Sequence, residues 1–153
     1  MIANIQFTNN FSLHELLLTA NRQFDEEQYN PPADVVENLR ALAVNILQPL
    51  RDAVGSPIKV NSGYRCPSLN KAVKGSKTSQ HMTGHAADIV DLTNGNELLF
   101  KKIIELNLPF DQIIDEFGFR WVHVSYDSKR NRKDILQARK DPQGKTVYIR
   151  PSL

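Results

Sequence analysis

A single cysteine, Cys66, cannot form an internal disulfide, so the fold must stand on packing, helped at most by a bound metal. Such cysteine usage fits a reducing compartment. No stretch approaches the 18 or more consecutive apolar residues of a membrane span, which excludes a helical membrane protein. The opening MIANIQFTNN lacks both the basic and the apolar regions of a secretory signal, so the expectation is a chain made and left in the cytoplasm. Internal repeats and low-complexity segments are also missing. What is present is 153 residues with 41% apolar content, enough for one good core and too little for two, so residues 1–153 read as one domain.

Charge is scarce in sum and uneven in place. The formal net charge is +2, yet Arg120 to Arg150 holds nine Lys/Arg against three Asp, which makes +6 there and leaves −4 for the rest. A basic face suits an anionic polymer such as a cell wall or a nucleic acid. No aromatic residue interleaves with the KRNRK run, so a solvated face is the plainer reading and no nucleic-acid partner is expected. A monomer is expected.

Hydrophobic spacing predicts the elements. Ser12 and Glu15 form a capping box, with Phe11 and Leu16 as a hydrophobic staple, for a helix reaching about Ala20. After the polar stretch NRQFDEEQYN, Val35, Leu39, Leu42, Ile46 and Leu50 mark a longer helix over about 33–54, with a bend expected at Pro49 and a stop at Gly55. Strands are expected at 58–62, 86–90, 111–117 and 121–126, with a short helix from Ser68 and another over 94–106. A last pair, 135–140 and 146–150, flanks the turn DPQG and makes a basic C-terminal hairpin over 135–150. Helices come first and strands later, so the class is α+β, with N-terminal helices packed on a small, mostly antiparallel sheet.

The histidines carry the chemical signal. His14 and His85 have easy surface explanations, which leaves His81 before one strand and His123 inside another. With Asp88 they offer two imidazoles and a carboxylate, a donor set that a hydrolytic zinc takes with one position left for water. The stretch HMTGH has histidines four apart, but it lacks the glutamate of HExxH and contains Gly84. On spacing alone, a His and an Asp beside a strand end are more often just a hydrogen-bonded pair.

Three blocks in order, Ser62-Gly63-Tyr64-Arg65-Cys66-Pro67, then Ser79-Gln80-His81 with Gly84, Ala86 and Asp88, then Trp121-Val122-His123-Val124-Ser125, resemble the zinc D-Ala-D-Ala carboxypeptidase family of peptidoglycan peptidases. The likeness runs from about residue 11 to 136. It implies a Hedgehog/DD-peptidase-like α+β domain and a zinc ion held by His81, Asp88 and His123. It also implies peptidoglycan peptides as substrate, cut at stem or cross-bridge bonds. Arg65 matches the arginine that faces the substrate or the developing oxyanion. Ser79 and Gln80 flank the first ligand and support the loop or the substrate; Trp121 reads first as a packing residue, although its place on the face of His123 could let it line the cleft and bind substrate.

One position departs from the pattern. Many relatives carry an Asp or Glu base three residues before the last histidine, and here that residue is Arg120, which cannot accept a proton. If Gly118-Phe119 is a two-residue turn, Phe117 pairs with Arg120, Glu116 with Trp121, and Ile114 with His123. Glu116 then shares the face of His123 and Asp115 points away, which favours Glu116 as the base. A slip of one residue would exchange the two, and both could be plain hairpin charges.

The remaining residues have structural readings. Arg65 could anchor its turn or pair with Asp88, Cys66 is a small buried hydrophobe, and Tyr126 is a packing residue. The expected activity is zinc-dependent hydrolysis of peptidoglycan peptides by a compact lysin-like domain, released to the wall by a phage-type lysis or export factor. The competing readings are a cytoplasmic D-amino-acid dipeptidase and a non-catalytic, zinc-stabilised wall-binding module.

Overall fold

The computed structural model describes residues 1–152. Its elements run α1 (Leu13–Leu17), α2 (Asp25–Gln28), α3 (Ala33–Leu42), α4 (Gln48–Val54), β1 (Lys59–Ser62), α5 (Pro67–Ala72), β2 (Ala86–Val90), α6 (Asn96–Glu105), β3 (Gln112–Glu116), β4 (Trp121–Ser125), β5 (Asp134–Lys140) and β6 (Thr146–Ile149). Among the described residues the strands form one six-stranded sheet in the order β1-β2-β4-β3-β5-β6. All neighbours are antiparallel except β3 and β5, which run parallel. The α+β expectation holds.

Two helices differ from the spacing. α1 begins as expected, with the Ser12 hydroxyl accepting from the Glu15 N–H, but it stops at Leu17 rather than Ala20. The carbonyls of its last turn are taken by tertiary donors: Leu16 accepts from the Tyr64 N–H at 2.8 Å, and Leu17 accepts from the Gln28 side chain at 2.7 Å. The long helix runs continuously from 33 to 54, but its middle, Ala43–Leu47, is π-helical. Pro49 follows at once, and its ring would crowd the Asn45 carbonyl in a regular helix. The wider turn gives that crowding room, so the expected bend is realised as a change of helical register. Gly55 closes α4 in the left-handed conformation at φ 71°.

Alternation along the strands separates two faces of the sheet. Ala87, Ile89, Ile113, Val122 and Val124 join Leu16, Leu39, Leu42, Leu50, Leu99 and Ile103 in the main core beneath the helices. The residues between them, Asp88, Ile114, Glu116 and His123, with Leu136 and Tyr148 farther along the sheet, line a cleft on the opposite face. The period-two rule thus puts one set of alternate residues of β2, β3 and β4 under the helices and gathers the other set, Asp88, Glu116 and His123 among them, in one groove.

The turn from β3 to β4 is longer than the sequence suggested. Glu116 pairs with Trp121 and Ile114 with His123 as expected, but Phe117 does not pair with Arg120. Phe117, Gly118 and Phe119 all take positive φ, at 56°, 73° and 61°, and the Arg120 N–H reaches the Glu116 carbonyl at 3.0 Å. The buried Asp115 carboxylate holds this tight path by accepting from the Phe119 N–H at 2.7 Å and from Arg139 at 2.8 Å. A tertiary partner on β5 therefore overrides the two-residue turn.

The 3₁₀ turn Gln80–Thr83 delivers the chain into β2 through Gly84, at φ 79°. A Cβ at Gly84 would stand 2.7 Å from the Val35 carbonyl oxygen on α3. Gly84→Ala therefore combines left-handed strain with backbone overlap, and a loss of roughly 2–4 kcal/mol is expected. Urea unfolding monitored by circular dichroism checks this, and an unchanged midpoint would contradict the crowding.

Candidate metal centre and cleft

Asp88 and His123 are direct partners across β2 and β4. The His123 Nδ1 lies 3.3 Å from the Asp88 Oδ1, and the His81 Nε2 lies 3.3 Å from the same oxygen. The two imidazole rings meet edge to face with centroids 5.2 Å apart. One donor atom from each of His81, Asp88 and His123 falls within 4.8 Å of the others. His81 and His123 are buried, and Asp88 is half-buried.

Backbone and neighbours fix these donors. The His81 Nδ1 sits 2.7 Å from the Gly63 carbonyl, so Nδ1 carries a proton donated to that oxygen and Nε2 is the ring atom turned toward Asp88. Gly63 itself has no room for a side chain, because a Cβ there would overlap the Leu16 carbonyl. Burial opposes ionisation of Asp88, but His81 and His123 outweigh it and hold its carboxyl well below the usual carboxylate range. An ionised carboxylate with one imidazole of fixed tautomer and a second at close range is the donor chemistry that zinc takes, so the residues fit the metal.

The surroundings form a cleft of about 690 Å³. Arg65 lines it, with its guanidinium donating to the Ser79 Oγ at 3.2 Å and its Nε buried without a partner among the described residues. Burial pulls the Arg65 pKa down, and nearby Asp88 opposes that. The Ser79 Oγ also accepts from the His81 N–H at 3.2 Å, so Ser79 links Arg65 to the turn that carries His81. The Gln80 side chain donates to Asp111 at 2.8 Å, and Asp111 also accepts from Arg132 through Nε and Nη2, both at 2.9 Å. Burial opposes ionisation of Asp111, but these bonds prevail and hold its pKa at about 2. His85 bonds Thr83 and stays outside the cluster, as does His14, which bonds the Ile2 carbonyl.

Glu116 is buried on the cleft wall one cross-strand pair from Trp121, outside the triangle of metal donors. Burial pushes its carboxyl up, His123 pulls it down, and Asp88 and Asp115 push it up again, leaving it at about 7. Asp115 lies on the other face of the strand, tied to Phe119 and Arg139. Beyond Glu116, Ala138 and then Tyr148 follow on β5 and β6, while Ile114, Leu136 and Ala138 make a small apolar floor.

Several contributors gave no sequence signal. Gln28, fully buried, donates to the Leu17 and Tyr64 carbonyls and accepts from the Cys66 N–H, so it holds the segment carrying Arg65. It lies in the polar stretch NRQFDEEQYN, which carried no element expectation and forms the short α2. Asp111 and Tyr148 stood in predicted strands with no motif around them; their roles come from pairing across the sheet and from the loop after β4.

The sequence model of the peptidase M15 family matches residues 9–125. A 44-residue segment is 50% identical to a zinc D-Ala-D-Ala carboxypeptidase of Streptomyces albus G, covering 28% of this chain and 17% of that protein. The aligned segment is thus about a sixth of that relative.

The Glu116 carboxyl yields a stability prediction. Its folded-state pKa lies above the ordinary 4.5, so its stabilising contribution is full below 4.5 and is lost as pH rises through about 7. Metal-free Glu116→Gln, which does not titrate, should therefore gain stability relative to the unsubstituted protein between about pH 5 and about pH 8. Denaturant midpoints at the two pH values test it, and an unchanged difference would show that the carboxyl does not titrate in that window.

Proposed function

This chain belongs to the peptidase M15 family, and from that premise we propose that it is a zinc peptidase that hydrolyses peptide bonds in peptidoglycan stem or cross-bridge peptides, as a carboxypeptidase or endopeptidase. The observation that carries the reading is the convergence of His81, Asp88 and His123 within 4.8 Å, on the wall of a cleft that also holds Glu116 and Arg65. His81, Asp88 and His123 would hold the ion. Zinc, when bound, lowers the pKa of its water toward 7 and polarises a carbonyl group.

The chain's own groups do the rest. Glu116 takes a proton from the attacking water on its carboxylate and passes it to the leaving amine. Burial raises this carboxyl to about 7 in the metal-free protein, which makes it a better proton acceptor than an exposed glutamate. Arg65, with a buried Nε and no carboxylate partner among the described residues, supplies hydrogen bonds to a substrate carboxylate or to the oxygen of the tetrahedral intermediate. Ser79 and Gln80 keep the His81 turn in place, and Trp121 offers an aromatic wall to the substrate.

A cleft of about 690 Å³ has room for a peptide substrate beside the metal donors.

Zinc-loaded protein incubated with peptides ending in D-Ala-D-Ala and with cross-linked wall fragments should release free amines, measured by chromatography. Glu116→Gln should lower kcat by about 10²- to 10⁴-fold at unchanged zinc content. Full activity in that variant would remove Glu116 from the mechanism. His81→Ala should lose both bound zinc, read by elemental analysis, and hydrolysis; chelation of the intact protein should abolish activity, and added zinc should restore it. Wall binding without turnover of any fragment by the zinc-loaded protein would favour the non-catalytic module.

A further inference from the structure

Arg120 occupies the position where the resemblance expects a carboxylate, and the chemistry above makes no use of it. It is exposed, and no Asp or Glu among the described residues forms an ion pair with it. A second depression of about 400 Å³ is lined by Phe117, Arg120, Trp121, Arg139 and Lys140. Trp121 also lines the main cleft, so one side chain is common to both hollows.

The surface of this depression is aromatic and cationic. Phe117 and Trp121 lie with ring centroids 5.7 Å apart, tilted by 58°, and the Lys140 ammonium stands 5.3 Å from the Phe117 centroid. Arg139 is neutralised by Asp115, at 2.8 Å. Lys140 donates to the neutral Thr146 hydroxyl and has no carboxylate partner among the described residues. Two uncompensated positive charges, from Arg120 and Lys140, therefore border an aromatic floor. The backbone path that sets them here, three successive residues with positive φ, is held by the buried Asp115.

Resting on the peptidase reading above, we propose that this depression is a distal subsite that binds a carboxylate carried by a longer peptide substrate, several atoms away from the scissile bond. The cations attract the carboxylate, and the aromatic floor packs against the apolar part of the same residue. A dipeptide confined to the metal cleft does not reach this subsite, so its effect falls on the KM of long acidic peptides. Both cations are exposed, so the effect weakens with added salt.

Three synthetic probes test it: an N-acylated D-Ala-D-Ala dipeptide, a pentapeptide ending in D-Ala-D-Ala with a free side-chain carboxylate at its second residue, and the same pentapeptide with that carboxylate amidated. The acidic pentapeptide should show a KM roughly tenfold below its amidated form, equivalent to about one charge-assisted hydrogen bond. The double variant Arg120→Glu/Lys140→Glu should erase or invert that difference while leaving the dipeptide's kcat and KM unchanged. The milder Arg120→Gln/Lys140→Gln should give an intermediate result, with unfolding midpoints reporting that both variants fold. Equal KM for the two pentapeptides, or a parallel loss on all three substrates in the variants, would overturn the subsite. If the zinc-loaded protein cleaves none of them, the peptidase reading fails by itself. Calorimetric binding of the two pentapeptides then decides the subsite, tighter binding of the acidic form supporting it and equal binding refuting it.

Discussion

A charged carboxylate held between two imidazoles at the centre of a sheet face is the constraint from which the rest of this structure follows. Asp88 is largely withdrawn from water, a position that would be costly without His81 and His123. One imidazole comes from the neighbouring strand by direct pairing, so sheet register alone delivers it. The other comes from a 3₁₀ turn whose placement needs three further conditions: close backbone approach at Gly63, a left-handed residue at Gly84 and a hydroxyl bond from Ser79. The cluster is therefore a product of the sheet on one side and of loop chemistry on the other.

This division explains what could be read in advance. β2 and the pairing of Glu116 with Trp121 and Ile114 with His123 were legible because alternation has a period of two and a hairpin fixes its own register. That pairing put Glu116, and not Asp115, on the side of His123, as the cleft lining bears out. Partners supplied from afar were illegible. Gln28 sits 36 residues before Tyr64, whose carbonyl it binds, and the π-helical turn before Pro49 and the parallel placement of β5 beside β3 leave no periodic trace. The β3–β4 turn was misjudged for the same reason, since Asp115 and Arg139 reshape it from outside the hairpin.

The basic C-terminal stretch changes character when its partners are known. Counted along the chain it is a block of +6. In the fold, Arg132 is bound to Asp111, Arg139 to Asp115 and Arg150 to Asp134, so three of its cations are tied to aspartates of the sheet or its flank. The first two aspartates are almost wholly buried, at 1% and 0% exposure, where removal of a partner leaves an uncompensated charge. Two of the nine cations that looked like a solvated or wall-adhering face, Arg132 and Arg139, are therefore internal wiring.

The Asp111 junction has a further consequence for where the folding unit ends. The family match stops at residue 125, which is the last residue of β4. Arg132 and Arg139 lie beyond it and neutralise carboxylates inside it, and Asp111 in turn holds Gln80 in the turn that presents His81. A chain trimmed to the matched segment would strand two buried negative charges and loosen one wall of the metal centre. The matched segment thus draws the charge partners of two of its buried aspartates from polypeptide beyond its own end.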